Sequence, residues 1–410
     1  MRVGFAILIG LTSTITWPPA HAQAASPNPA VRACDQPSRR LIERVVAIDS
    51  GTGDAEGINA VGAIFAEALR ATGASVRAVA PAPPALGVNV VATLTGTGKG
   101  RILLIAHMDT VFRRGDVAEH PPHWESEHYV GPGAGDDKSG GVTAICALGA
   151  LKAIGYHDYA RIDLLLNASE ETGSLGSRDL IRRMAQDSDL VINLERGVPS
   201  DQAIVARKGS ATLVLEVTGR AAHSGLEPEK GRNAALEAAR LALALGPLAD
   251  ASRQTSVVVD VLSSGDKINV VPDRGTLKAD VRAFTAAEFD RIEAAAAALA
   301  GKPSTDGITI TSRLQRNFPP WPRVAGADAA IARANRLYGE LGRSLTATAV
   351  GSSSDANVAA ETGTPAIDGF AMEGGGAHSV LDYTDFATLT PRAYLLARML
   401  MDVGHDPAAR

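Results

Sequence analysis

The chain has 410 residues, too many for one ordinary hydrophobic core and about right for two domains. Apolar residues make up 45%, and 40 basic side chains face 45 acidic ones, a net of −5. This is the composition of a soluble globular protein; it lacks the Lys/Arg blocks of a nucleic-acid or other polyanion binder.

In chain order, Met1-Arg2 is a short basic start, Val3 to Ile15 is apolar, and Ala20-His21-Ala22 offers small residues to a signal peptidase. Residues 1–22 read as a signal peptide; the other reading, an uncleaved anchor, is disfavoured by the shortness of the apolar run. The mature protein is therefore expected to be periplasmic or secreted, with no stable membrane insertion. Residues 23–40 read as a loose Pro- and Ala-rich lead-in. The two cysteines are Cys34, in that lead-in, and Cys146, in a small-residue helix. An oxidising compartment permits a disulfide, but Cys146 reads as a buried packing residue, so neither a bridge nor a catalytic thiol is expected.

From about Leu41 to Arg207 helical and strand patterns alternate. Val61 to Thr72 is helical, with Val61, Ile64, Phe65 and Leu69 at helix spacing and Gly73 as the stop. Ile102 to Ala106 is a short continuous apolar strand, and Ile162 to Leu166 and Leu190 to Leu194 are two more strands of buried type, with helices at Val142 to Ile154 and Arg178 to Ala185. That order predicts an α/β fold with a mostly parallel sheet covered by helices on both faces. After Lys208-Gly209 the pattern changes. Strands at Ala211 to Gly219, Ser256 to Leu262, Thr276 to Phe284 and Ile308 to Leu314, with helices at Asn233 to Leu245 and Ala286 to Ala300, give the order βαββαβ. This is the order of a ferredoxin-like α+β unit, read as an insertion over 208–313 that splits the first domain into 41–207 and 314–410.

Five residues with metal-binding chemistry fall at strand ends or in loops: His107, Asp136, Glu171, Glu195 and His378. Open α/β sheets bind ligands beyond the carboxyl ends of their strands, so these side chains are expected to converge. His107 and Asp109 are two apart and point the same way; a metal-bound imidazole needs an acceptor on its other nitrogen, a task that suits Asp109. Asp136 stands in a Gly-rich loop, and its two oxygens can bridge two ions. Adjacent Glu170 and Glu171 cannot both face one ion, so one binds metal and the other acts as general base on the attacking water. Two nitrogens and three carboxylates suit two zinc ions with an open position. His120, His123 and His128 read as surface groups, whereas His223, at a strand end of the insertion, is placed to polarise a carbonyl.

In this order the motifs resemble the co-catalytic zinc metallopeptidase family that includes glutamate carboxypeptidase, succinyl-diaminopimelate desuccinylase, acetylornithine deacetylase and aminoacylase. The resemblance runs from about Leu41 to the end of the chain. It implies His107, Asp136, Glu171, Glu195 and His378 as ligands of two zinc ions (cobalt or manganese as substitutes), with Asp136 bridging, Glu170 as general base and Asp109 steadying His107. It also implies that His223 acts in the active site of the partner subunit of a homodimer, and that Arg282 and Asn269 bind a substrate carboxylate, a task that suits the guanidinium fork. Family aminopeptidases tend to carry Asp in place of Glu195, and the wording of His-Met-Asp-Thr-Val and Gly-Pro-Gly-x-x-Asp-Asp-Lys is nearest to the glutamate carboxypeptidases. Ser354-Asp355 stands where relatives often have Thr-Asp. The function implied is a secreted zinc carboxypeptidase or amidohydrolase, releasing a C-terminal amino acid, glutamate foremost, from N-acyl or pteroyl conjugates and peptides with a free carboxylate. An aminoacylase or deacetylase is the alternative within the family; a metal-containing binding protein is the alternative outside it, and the intact Glu170 argues against that.

Overall fold

The apolar runs form the middle of a six-stranded sheet in the computed structural model, which describes residues 25–408. The expected signal peptide lies outside the described residues. Across the sheet the order is Ser75–Val79, Asn89–Thr95, Arg161–Asn167, Arg101–His107, Leu190–Asn193 and Ala366–Ile367. The last four run parallel, and the first two add an antiparallel edge. Side chains alternate across the sheet: Ile102, Leu104 and Ala106 enter one core while Leu103 and Ile105 enter another. Helices Ala55–Ala71, Ser139–Ala153 and Leu389–His405 cover the first face, and Arg178–Gln186 and Asp355–Ala360 cover the second. Burial on both faces is why the parallel strands are mainly apolar, with Asp163 the buried exception inside Arg161–Asn167. Among the described residues, no helix is long and apolar enough to cross a membrane.

Two expectations for the start of the chain are corrected. Asn28–Ala33 and Asp35–Val46 are helices rather than a loose lead-in, because Val31, Ile42, Val45 and Val46 are fully buried in the main core. Cys34 and Cys146 form a disulfide, with 5.6 Å between their Cα atoms. Packing of the first helix on Ser139–Ala153 brings them together, so Cys146 is both a buried packing residue and a bridge.

Between Gly209 and Phe318 lies a separate four-stranded antiparallel sheet, ordered Ser256–Ser264, Arg274–Ala283, Gly209–Thr218, Thr309–Phe318. Helices Ala234–Leu245 and Ala286–Ala300 pack on it. Leu213, Leu215 and Val217 point into a core of its own with Leu241, Phe289 and Ile292, and the strand order is that of a ferredoxin-like unit. The chain enters and leaves on adjacent strands, Ser210 lying opposite Phe318.

Candidate metal centre and active site

Three neighbouring parallel strands end on one side of the sheet and deliver acidic and imidazole groups there. His107 is the last residue of Arg101–His107, Glu170 and Glu171 begin a short helical turn after Arg161–Asn167, and Glu195 follows Leu190–Asn193. The tight turn Ala134–Lys138 presents Asp136 in an extended conformation, and the Asp136–Asp137 peptide is cis. His378 reaches in from the loop after Gly374–Gly375, with a left-handed φ of 61° that a non-glycine residue adopts only where its surroundings require it.

His107 Nε2 lies 3.2 Å from Asp136 Oδ1 and 3.7 Å from Glu195 Oε1. His378 Nε2 lies 3.5 Å from the other Asp136 oxygen, Oδ2, and 3.3 Å from Glu171 Oε2. Asp136 therefore faces one imidazole with each oxygen. Ligand atoms of His107, Asp136 and Glu171 all fall within 4.8 Å of one another, a spacing that can hold a metal ion. On the far side of the His107 ring, Nδ1 is 2.9 Å from the backbone carbonyl of Asp109 and 3.5 Å from its carboxylate. The carbonyl is thus the nearer acceptor, and the Asp109 carboxylate holds the turn that carries Glu170 and Glu171. Asp382 supports Asp136 in the same manner, accepting the N–H groups of Gly135 and Asp136 at 3.2 and 3.3 Å.

The electrostatics of this cluster call for a cation. Burial pushes Glu170 well above the usual carboxylate range; Glu195, Glu171 and Asp355 add to the effect while His107 opposes it. Burial, with the Asp136 charge behind it, pushes Glu195 up to about 8. For Asp136 burial works the same way but is outweighed by the hydrogen bond and charge of His107, helped by Arg196 and His378, and its pKa falls to about 2. Asp137 Oδ1 is buried with no hydrogen-bond partner. A cation among carboxylates this crowded and this dry favours their charged forms, and oxygen with imidazole nitrogen is a donor set that zinc accepts.

These groups line a cavity of about 810 Å³, within the range of sites for small organic ligands. Glu170, Glu171, Glu195, Asp136 and His378 face it, and Arg282 lines it from the insertion. His223 and Asn269 do not. They are exposed and adjacent to each other, Ser224 donating its N–H to the Asn269 carbonyl at 3.0 Å. Sequence reasoning passed over Arg196 and Arg207, both of which line the cavity, because a lone arginine has no spacing rule to mark it. Arg207 is buried and tied to Asp368 at 2.7 Å and Ser352 at 2.8 Å. The Ser354-Asp355 pair is buried behind the site: Ser354 donates to Asp368 at 2.7 Å, and Asp355 accepts from Asn167 at 2.8 Å and from Ser174.

The family model of Peptidase family M20/M25/M40 matches residues 103–402. Carboxypeptidase G2 of Pseudomonas sp. (strain RS-16) is 33% identical over 368 residues, 89% of each chain. A p-aminobenzoyl-glutamate hydrolase chain of Escherichia coli (strain K12) is 31% identical over 197 residues, 42% of this chain and 44% of that one. Among solved structures, a tripeptidase of Staphylococcus aureus superposes with a TM-score of 0.76 at 21% identity, over 91% of this chain and 99% of that chain. An M20 family metallo-carboxypeptidase of Sulfolobus solfataricus does so with a TM-score of 0.73 at 15% identity, over 89% and 98%. Both superpositions bear on the fold alone. The family match and the likeness to carboxypeptidase G2 establish that the chain belongs to Peptidase family M20/M25/M40 and is a metallopeptidase or amidohydrolase of that family.

Proposed function

We propose that the protein is an exported carboxypeptidase that hydrolyses the amide bond to a C-terminal amino acid, glutamate foremost, in N-acyl or pteroyl conjugates and peptides. The observation that carries this reading is the double role of Asp136, whose oxygens face His107 at 3.2 Å and His378 at 3.5 Å. His107 and Glu195 on one side, and His378 and Glu171 on the other, would hold two zinc ions with Asp136 between them. Zinc bound there supplies Lewis acidity to the scissile carbonyl and brings the pKa of water towards neutrality. The remaining work falls to the chain's own groups. Glu170, buried beside the proposed ligands, takes a proton from the attacking water and passes it to the leaving amine; burial raises its pKa above the ordinary carboxylate value. Arg282 in the cavity wall offers its fork to the substrate carboxylate. The resemblance to carboxypeptidase G2 over 89% of the chain supports this substrate class, and a cavity of about 810 Å³ has room for a bulky acyl group.

His223 and Asn269 belong to this reading through a second copy of the chain, which would bring them to the neighbouring cavity. The outer strand of the insertion, Ser256–Ser264, has a free edge, and Leu236, Leu243 and Leu262 nearby are 71%, 81% and 51% exposed. An apolar face beside an open strand edge is suited to a twofold partner. The pattern of residues 1–22 and the Cys34–Cys146 bridge support export, since disulfides persist in oxidising compartments.

The test is Glu170→Ala. Turnover of pteroyl-glutamate should be lost while metal analysis still finds two zinc ions per chain; a variant that turns over normally would sink the mechanism.

A further inference from the structure

Two arginines other than the buried Arg207 line the cavity. Arg282 already has an assigned task. Arg196 has none, and it stands closest to the metal ligands. It directly follows Glu195 in the chain, and its Nη1 donates to Asp136 Oδ2 at 3.3 Å, the oxygen that His378 also faces. Among the described residues, Asp136 is its only hydrogen-bonding partner. The guanidinium carries five N–H donors, and the side chain is 35% exposed and lines the cavity. The arginine is therefore held by one weak contact to a carboxylate that the metal reading commits elsewhere. Once the lone pairs and charge of Asp136 are taken up by divalent cations, those cations repel a neighbouring guanidinium. The other carboxylates lining the cavity, Glu170, Glu171 and Glu195, belong to the same centre. An anion for Arg196 then has to come from the ligand.

We infer that Arg196 is a specificity-determining residue that binds a second carboxylate of the substrate, so that the site selects a C-terminal residue with an acidic side chain. This rests on the proposed carboxypeptidase reading. Arg282, whose Nε already donates to Asp280 at 2.8 Å, takes the C-terminal carboxylate with its outer nitrogens, and a neutral side chain leaves Arg196 without an anion from the ligand, a mismatch that lowers affinity.

The experiment compares the zinc-loaded full chain with its Arg196→Gln and Arg196→Lys variants. Hydrolysis of benzoyl-glutamate and benzoyl-glutamine gives a ratio of kcat/KM values. Calorimetric binding of free glutamate and free glutamine, the released products, gives a second ratio that does not depend on turnover. The expected result is a preference for the glutamyl member of each pair that falls at least tenfold in Arg196→Gln and less in Arg196→Lys, with zinc content maintained. Ratios that stay within twofold in Arg196→Gln would overturn the inference. So would loss of zinc with both substrates declining together, which would make Arg196 only a counter-charge to Asp136. If the wild type hydrolyses neither conjugate but binds glutamate over glutamine, and loses that preference in Arg196→Gln, the role of Arg196 stands and the carboxypeptidase reading falls.

Discussion

The carboxylate of Asp109 accepts the backbone N–H of Glu170 with one oxygen at 2.9 Å, and that of Glu171 with the other at 3.2 Å. Thr52 donates to it as well, at 2.6 Å, and it is fully buried. One side chain thus fixes the turn bearing both glutamates, while its own backbone carbonyl orients His107. Asp109→Asn replaces one acceptor oxygen with an N–H₂ group aimed at a backbone N–H. Zinc affinity, measured by competition with a chelator, should fall by roughly 10–100-fold, the usual cost of losing such a supporting contact. Unaltered affinity would show that the contact of His107 Nδ1 with the Asp109 carbonyl suffices.

The proposed homodimer gives a mixing prediction. Glu170→Ala and His223→Ala should each be inactive alone, yet regain activity after subunit exchange, because a mixed dimer holds one site with both residues intact. In addition, Leu243→Glu, placed on the exposed face of Ala234–Leu245, should sediment as a monomer and lose hydrolysis. A monomer of full activity would remove the trans role of His223.

The sequence and the structure agree best where burial leaves a simple imprint. Ile102 to Ala106, Ile162 to Leu166 and Leu190 to Leu194 are readable as strands because both faces are covered. The antiparallel strands Ser75–Val79 and Asn89–Thr95 are not legible: Arg77, Asn89, Thr93 and Thr95 break the apolar run, and only pairing in three dimensions defines them. Pro29 and Pro37 made the first helices look like a linker, although each stands in the first turn of its helix, where proline is tolerated. Motif order singled out His107, Asp136, Glu171, Glu195 and His378, the residues proposed as metal ligands, and the structure brings them to one place. The same order carried no signal for Arg196 or Asp382, whose contacts to Asp136 arise from loops meeting across the site.

The disulfide joins residues 112 apart in sequence, and a loop of that size loses much entropy when it is closed in the unfolded chain. Replacing Cys34 and Cys146 by Ser should lower stability by about 2–5 kcal/mol. The comparison is a denaturant melt of the wild type against the double variant. Zinc content at equilibrium should match, since neither cysteine is among the proposed metal ligands. A double variant as stable as the wild type would mean that the helices of residues 28–46 hold by packing alone.

A pH effect is expected in the inserted unit. Hydrogen bonds from Arg291 outweigh burial and, with Arg253 and Thr255, hold the Glu288 pKa down at about 2 against an ordinary 4.5. The native pKa lies below the unfolded one, so the stabilisation is complete above pH 4.5 and is lost as pH falls to about 2. Glu288→Gln should destabilise the protein at pH 7 by about 2 kcal/mol, an order-of-magnitude figure for a buried charged hydrogen-bond group. Urea midpoints of variant and wild type should then converge as pH approaches 2. A constant gap across that range would locate the cost in packing instead of charge.

Ser210 and Phe318 face each other across one ladder, so the chain crosses into the insertion and back at neighbouring points. A module anchored in this manner can be transplanted. Because both ends meet in space, a homologous unit of different length can replace it without stretching the sheet that bears the proposed metal ligands. Arg282, His223 and Asn269 all travel with the module, whereas His107, Asp136, Glu170, Glu171, Glu195 and His378 stay behind. On the proposed roles, recombination between relatives at these two strands would exchange the Arg282 contact to substrate and the subunit contacts as one cassette, leaving Arg196 and the proposed hydrolytic centre of the host in place.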